Sequence, residues 1–289
     1  MAGSSETTHR RPGLYPVAGV STAALILVAL AGMLMVHPGV SAPSLTPTLT
    51  APPLVLEHLI PEVMSTLPHD NAFTQGLLLD NGYLYESAGL YGESSLRKLD
   101  RNTGEVLQVI PLGPAYFAEG LARVDNRLIQ LTWREGVAFV YDLDTLEQTG
   151  EYTYTGEGWG LCDDGSALYM SDGSSTLIIR NRQTFEPIGA LEVRMDSQPV
   201  TMLNELECVG PSIFANIWQT DTIVRIDRAT GFVTGVIDAA GLLSEIERLS
   251  LQNGSVLNGI VYDPAHDTFL ITGKRWPAIF EVRFIPYAP

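Results

Sequence analysis

The sequence predicts an all-β protein, a five-bladed β-propeller closed by its own N-terminal strand and preceded by a single apolar segment. Three observations predict it. A short phrase recurs five times, with heads at Gln75-Gly76-Leu77, Glu119-Gly120-Leu121, Trp159-Gly160-Leu161, Asn204-Glu205-Leu206 and Asn258-Gly259-Ile260. Head follows head after 40 to 54 residues, and a period of roughly 40–50 residues carrying four short strands is what one propeller blade requires. Each head leads, after a turn-rich gap, into a β-rich run: Tyr83-Leu84-Tyr85, Leu128-Ile129-Gln130-Leu131, Ala167-Leu168-Tyr169-Met170, Ile213-Phe214-Ala215-Asn216 and Phe269-Leu270-Ile271. Blade bodies then end in a second phrase, a hairpin built on Asp100-Arg101-Asn102-Thr103-Gly104, Asp142-Leu143-Asp144-Thr145 and Asp227-Arg228-Ala229-Thr230-Gly231, with a weaker copy at Asn181-Arg182-Gln183-Thr184. Asp or Asn ends one strand there, and Thr with Gly forms the turn.

Taken in order, residues 1–16 form a short N-terminus carrying Arg10 and Arg11. Residues 17–36 contain no charge, and about 20 apolar residues span a bilayer. The arginines ahead of this segment leave the N-terminus in the cytoplasm and the rest of the chain outside. An uncleaved anchor is favoured over a cleaved signal, because Pro43 follows the Val40-Ser41-Ala42 site directly. Residues 37–53 are rich in Pro, Ser and Thr and read as a tether. Residues 54–289 carry the propeller. Its fifth repeat ends where a fourth strand should begin, and residues 59–67 resemble the missing outer strand. Supplying it from the N-terminal side removes an exposed sheet edge. Residues 242–251 look like a short helical insertion that lengthens the last spacing.

The net charge of −16 argues against nucleic acid and is compatible with amine-bearing substrates. The two cysteines, Cys162 and Cys208, stand three and four residues past their heads. Two buried free thiols on different inner strands are expected in preference to a bridge. No Cys/His spacing suggests zinc, and no Gly-x-Ser-x-Gly, P-loop or dinucleotide fingerprint is present.

Polar residues at strand ends around a central channel are where function concentrates on such a scaffold. The heads offer Gln75, Glu119, Trp159, Asn204, Glu205 and Asn258. The ends of the next strands offer Glu86, Trp133, Asp172, Trp218 and Lys274. All four tryptophans, Trp133, Trp159, Trp218 and Trp276, fall near these positions, as an aromatic cage or as a plug. Glu119 is the sharpest candidate. A carboxylate among tryptophans should be desolvated and its pKa raised, which suits general acid/base work.

His69-Asp70-x-x-Phe73-Thr74-Gln75-Gly76-Leu77, Gly156-Glu157-Gly158-Trp159-Gly160-Leu161, Leu203-Asn204-Glu205-Leu206-Glu207 and Gly273-Lys274-x-Trp276-Pro277 resemble the plant and bacterial type of glutaminyl cyclase. The resemblance runs from about His69 to Phe284. It implies a five-bladed propeller that converts N-terminal glutamine of peptides and proteins to pyroglutamate with release of ammonia, without cofactor or metal. It implies a site made of Phe73, Gln75, Phe117, Glu119, Trp133, Trp159, Asn204, Trp218 and Lys274. Glu119 would shuttle the proton. The indole N–H of Trp133 or Trp159, Gln75 or Asn204 would support the oxyanion, and Lys274 would hold a carbonyl or the Glu119 charge. The partners expected are glutamine-bearing N-termini and, through residues 17–36, the membrane; the propeller itself is expected outside the cytoplasm as a monomer. Two rivals remain. One is a metal-dependent lactonase or esterase propeller with Ca²⁺ held by Glu86, Glu119, Asn204 and Asp172. The other is a non-catalytic extracytoplasmic binding propeller.

Overall fold

The computed structural model describes residues 55–287, and the expectations for residues 1–53 lie outside the described residues. The first described strand, β1 (Glu57–Pro68), is followed by four strands in chain order, β2 (Thr74–Asp80), β3 (Tyr83–Ala88), β4 (Ser95–Asp100) and β5 (Val106–Pro111). These four form an antiparallel sheet in that order. The pattern repeats in β6 (Ala118–Val124), β7 (Arg127–Thr132), β8 (Val137–Asp142) and β9 (Gln148–Thr153), then in β10 (Leu161–Asp163), β11 (Leu168–Met170), β12 (Thr176–Arg180) and β13 (Pro187–Glu192). A two-stranded turn, β14 (Arg194–Met195) and β15 (Gln198–Pro199), leads into β16 (Leu203–Val209), β17 (Ser212–Ile217), β18 (Thr222–Asp227) and β19 (Val233–Asp238). After helix α1 (Glu245–Ser250) come β20 (Leu257–Asp263), β21 (Thr268–Gly273) and β22 (Ala278–Pro286).

β1 supplies the strand that the last group lacks. It pairs antiparallel with β22 from Leu59↔Pro286 to Pro68↔Ala278. Its first residues also run parallel to β19 at Glu57↔Gly235 through Leu59↔Ile237, joining the last two groups into one eight-stranded sheet. The first strands meet in ring order: β2 touches β6, β6 touches β10, β10 touches β16, β16 touches β20 and β20 touches β2.

The hairpin phrase works as its composition demands. Oδ1 of Asp100, Asp142, Asn181 and Asp227 accepts the backbone N–H of Thr103, Thr145, Thr184 and Thr230 respectively. Side-chain acceptors of this kind stabilise a turn by satisfying its backbone donors locally. Ser244 caps α1 and forms a reciprocal box with Glu247.

The heads do two things. In β2, β6, β16 and β20 the pairing register shifts at the head, between Thr74 and Gly76, Ala118 and Leu121, Leu203 and Leu206, and Leu257 and Ile260. Such a bulge re-aims a side chain out of the normal alternation. The second head residue also packs against the next strand. A Cβ on Gly76 would sit 2.6 Å from the Leu121 nitrogen, and one on Gly160 would overlap the Asn204 carbonyl. The fourth head carries Glu205 where the others have Gly. Its buried carboxylate accepts the N–H of Leu77 at 3.2 Å and of Ile260 at 2.9 Å, tying the first, fourth and fifth groups together.

The expectation of two free thiols is corrected: Cys162 and Cys208 form a disulfide, with Cα atoms 5.5 Å apart. The reason lies in their unequal offset from the heads. Side chains alternate between the two faces of a strand, so offsets of three and four put the sulfurs on opposite faces of their own sheets. Successive sheets stack face against face, and those two faces meet. Both cysteines accordingly lie in one apolar layer with Leu177, Leu206 and Ile213.

Candidate active site

The nine residues singled out from sequence line one cavity of about 450 Å³. Its polar floor is Gln75, Glu119, Asn204 and Lys274, all buried. Its half-buried walls are Phe73, Phe117, Trp133, Trp159 and Trp218. The bulges deliver the three head residues of the floor, and Lys274 follows directly on β21.

Glu119 receives a hydrogen bond from Gln75 Nε2 at 3.0 Å. Asn258 in turn donates to Gln75 Oε1 at 3.3 Å and to the Thr74 carbonyl at 3.0 Å, so the fifth head orients the first. Burial pushes the Glu119 carboxyl well above its ordinary range; Lys274 opposes that shift, while Glu157 and Glu135 add to it. Burial pulls Lys274 down to about 8, against the attraction of Glu119. The two shifts run toward each other, the carboxyl up and the ammonium down, because burial disfavours both charges. Asn204 Oδ1 is buried without a hydrogen-bond partner in this cavity, and a buried acceptor of that kind costs stability unless a ligand satisfies it.

The aromatic walls are interlocked. Phe117 meets Phe73 at 6.1 Å and Trp133 at 5.6 Å between ring centres, both edge-on. Trp159 meets Trp218 edge-on at 5.2 Å. The indole N–H groups expected at the oxyanion are both engaged by a carboxylate. Trp133 donates to Glu157 at 2.7 Å and Trp159 donates to the same carboxylate oxygen at 3.0 Å. Glu157 also accepts from Arg134 Nε at 2.8 Å. Its partial burial disfavours the charge, but these three donors hold its pKa below the usual carboxylate value. A hydrogen bond to a carboxylate is stronger than one to a neutral acceptor.

Trp276 is also corrected. It is 1% exposed, packs in the apolar layer with Phe280, and does not line the cavity.

The proposed Ca²⁺ ligands do not converge. Glu86 lies away from the cavity and takes hydrogen bonds from His69 Nε2, Thr74 Oγ1 and Arg97 Nη1. Its burial is outweighed by His69 and Arg97, which hold its pKa at about 2. Asp172 accepts the Ser174 N–H. Among the described residues, the one group of His, Cys, Asp and Glu atoms close enough to share an ion is Asp263, His266 and Glu281; Arg101 already bridges its two carboxylates.

Four further lining residues, Leu90, Gln219, Gly254 and Val256, lie on loops and escaped the repeat. Only Gln219 carried a signal, as the neighbour of Trp218. Glu157 stands inside the Gly156-Glu157-Gly158-Trp159 phrase, so its proximity to Trp159 was available from sequence.

A ring of antiparallel sheets around a cavity with a desolvated carboxyl, a depressed lysine and aromatic walls defines an acid/base site for a small polar group carried on an apolar body. A family model described as glutamine cyclotransferase matches residues 35–284. A curated Arabidopsis thaliana protein, glutaminyl-peptide cyclotransferase, is 41% identical over 229 residues, which cover 77% of this chain and 70% of that protein. The crystal structure of Myxococcus xanthus glutaminyl cyclase aligns with a TM-score of 0.75 at 38% identity, over 81% of this chain and 100% of that one. This chain belongs to the glutamine cyclotransferase family.

Proposed function

We propose that this chain converts N-terminal glutamine of peptides and proteins to pyroglutamate, with Glu119 as the proton shuttle. The observation that carries the reading is the buried Glu119 carboxyl, pushed up in pKa beside Gln75 and Lys274 at the floor of an aromatic cavity. The α-amine nitrogen attacks the side-chain amide carbon. The new N–C bond closes the five-membered ring and the bond to the amide nitrogen breaks. Glu119 takes a proton from the attacking amine and returns it to the leaving nitrogen, which departs as ammonia. The aromatic walls fold the glutamine so that amine and amide meet, and that orientation supplies much of the acceleration. The unpartnered Asn204 Oδ1 accepts from the amide NH₂, and the Lys274 ammonium supports the developing oxyanion. The chemistry is complete with side chains, and no metal or cofactor is assigned to it.

The ring order of the first strands and the β1–β22 pairing support a five-bladed propeller over residues 54–289, closed by its N-terminal strand. The Cys162–Cys208 disulfide supports an extracytoplasmic location, since such bonds persist in oxidising compartments. Residues 1–16 would then remain cytoplasmic, residues 17–36 anchor the chain, and residues 37–53 tether a monomeric catalytic domain.

Mass spectrometry of a glutamine-initiated peptide tests the activity. Loss of one ammonia, faster than the spontaneous reaction and unaffected by chelator, is expected. Activity abolished by chelator would favour a metal-dependent reaction, and binding without turnover would favour a binding module.

A further inference from the structure

Two cavities meet at Phe73 and Leu90. One is the aromatic cavity of Glu119; the other, of about 650 Å³, is lined mainly by polar groups and has no part in the proton transfer. Volumes of this order hold a ligand of several hundred daltons. Most charge on the second cavity is already neutralised, with Arg97 held by Glu86 and Asp70. Arg275 differs. It is half-buried, makes no ion pair among the described residues, and holds its guanidinium carbon 5.7 Å from the centre of the Phe73 ring. Its position is fixed by the backbone. Arg275 has φ 59 and donates its N–H to the Ala72 carbonyl at 2.7 Å.

Across the shared wall, Leu90 has φ 97, a strained value for a side chain of that kind. It is pinned there because its carbonyl accepts from the Glu93 N–H at 3.0 Å and Ser94 Oγ at 2.8 Å. Glu93 lines the same cavity but is exposed, so solvent screens it more than it screens Arg275. The cavity thus presents one half-buried, unpaired cation next to the reactive pocket.

We propose that this second cavity is the subsite for the peptide residues that follow the N-terminal glutamine, and that Arg275 selects an acidic side chain among them. The inference rests on the cyclase reading. A glutamine seated with its amine at Glu119 must extend the rest of its chain out of the aromatic cavity, and the polar cavity shares a wall with it. Arg275 pairs with a carboxylate on that extension while Phe73 supports its guanidinium face.

The test compares C-terminally amidated peptides in which glutamate or glutamine is moved through the second, third and fourth positions. At one of these positions glutamate should raise kcat/KM over glutamine by about tenfold, equal to ~1.4 kcal/mol, chiefly through KM. The advantage should shrink with added salt. In Arg275→Asn, which keeps a side chain tolerant of positive φ, the ratio should fall to near one, and Arg275→Lys should restore part of it. A wild-type enzyme indifferent to glutamate at all three positions overturns the subsite. So does a glutamate preference that survives in folded Arg275→Asn. Should that variant fail to fold, the salt dependence of the wild-type ratio decides, and a salt-independent ratio overturns the pairing. Glutaminamide, which has no following residue, separates the two readings. Its turnover by the wild type without any glutamate preference sinks the subsite alone, and no turnover at all sinks the cyclase reading with it.

Discussion

At the residue scale, the proposed role of Glu119 makes the sharpest predictions. Glu119→Gln keeps the size of the side chain and a hydrogen-bonding head for Gln75. It should lower kcat by about 10²–10⁴-fold while leaving the melting temperature close to that of the wild type. Activity within a few-fold of wild type would move the proton transfer elsewhere. The pH profile follows from the same pair. Glu119 must lose its proton to act as a base, so the rising limb of kcat should lie above the ordinary carboxylate range. Lys274 loses its charge near 8, so the falling limb should lie there, and Lys274→Met should abolish it. For stability the signs are opposite. Glu119, whose pKa is raised, costs the native state stability as pH rises through its folded value. Lys274, whose pKa is depressed, costs it below about 8, so stability should climb from there toward the ordinary lysine range. Gln75, Glu119, Trp133, Trp159, Asn204, Trp218 and Lys274 were legible in the sequence because each stood at a head or at the end of the following strand, while Phe73 and Phe117 came from the family resemblance. Their orientation was not legible. Whether Trp133 and Trp159 aim their N–H groups inward depends on one carboxylate, Glu157, and no spacing reports where its side chain turns.

At the element scale, the disulfide makes the most direct prediction. It joins β10 to β16 across 46 residues of sequence, and closing a loop of that length typically stabilises by ~4 kcal/mol. The Cys162→Ser/Cys208→Ser variant should therefore shift its denaturation midpoint down by a corresponding amount. A reductant should reproduce that shift in the wild type and have no effect on the variant. An unchanged midpoint would mean that the layer of Leu177, Leu206 and Ile213 holds the two sheets without it. The all-β class and the hairpins were legible because the turn chemistry of Asp100, Asp142 and Asp227 is local and repeats. The bridge was missed because it depends on which faces of two sheets meet, a relation set by stacking rather than by strand identity. Trp276 misled for a related reason. It follows the strand end that positions Lys274, but Gly273 leaves room beneath it, so the indole folds down into the apolar layer.

At the scale of the whole molecule, the first and last strands hold the ring together. β1 contributes the outer strand to β22 and a short parallel contact to β19, so removal of residues 55–68 exposes two edges at once. That truncation should lose the cooperative unfolding transition seen by circular dichroism or calorimetry. Retention of a sharp transition at the wild-type temperature would assign closure to other contacts. The packing at the heads has a further effect. Glycine backbones there lie against their neighbours, and Glu205 fills the space between the first, fourth and fifth groups. The first strands consequently leave no room for a side chain at Gly76 or Gly160.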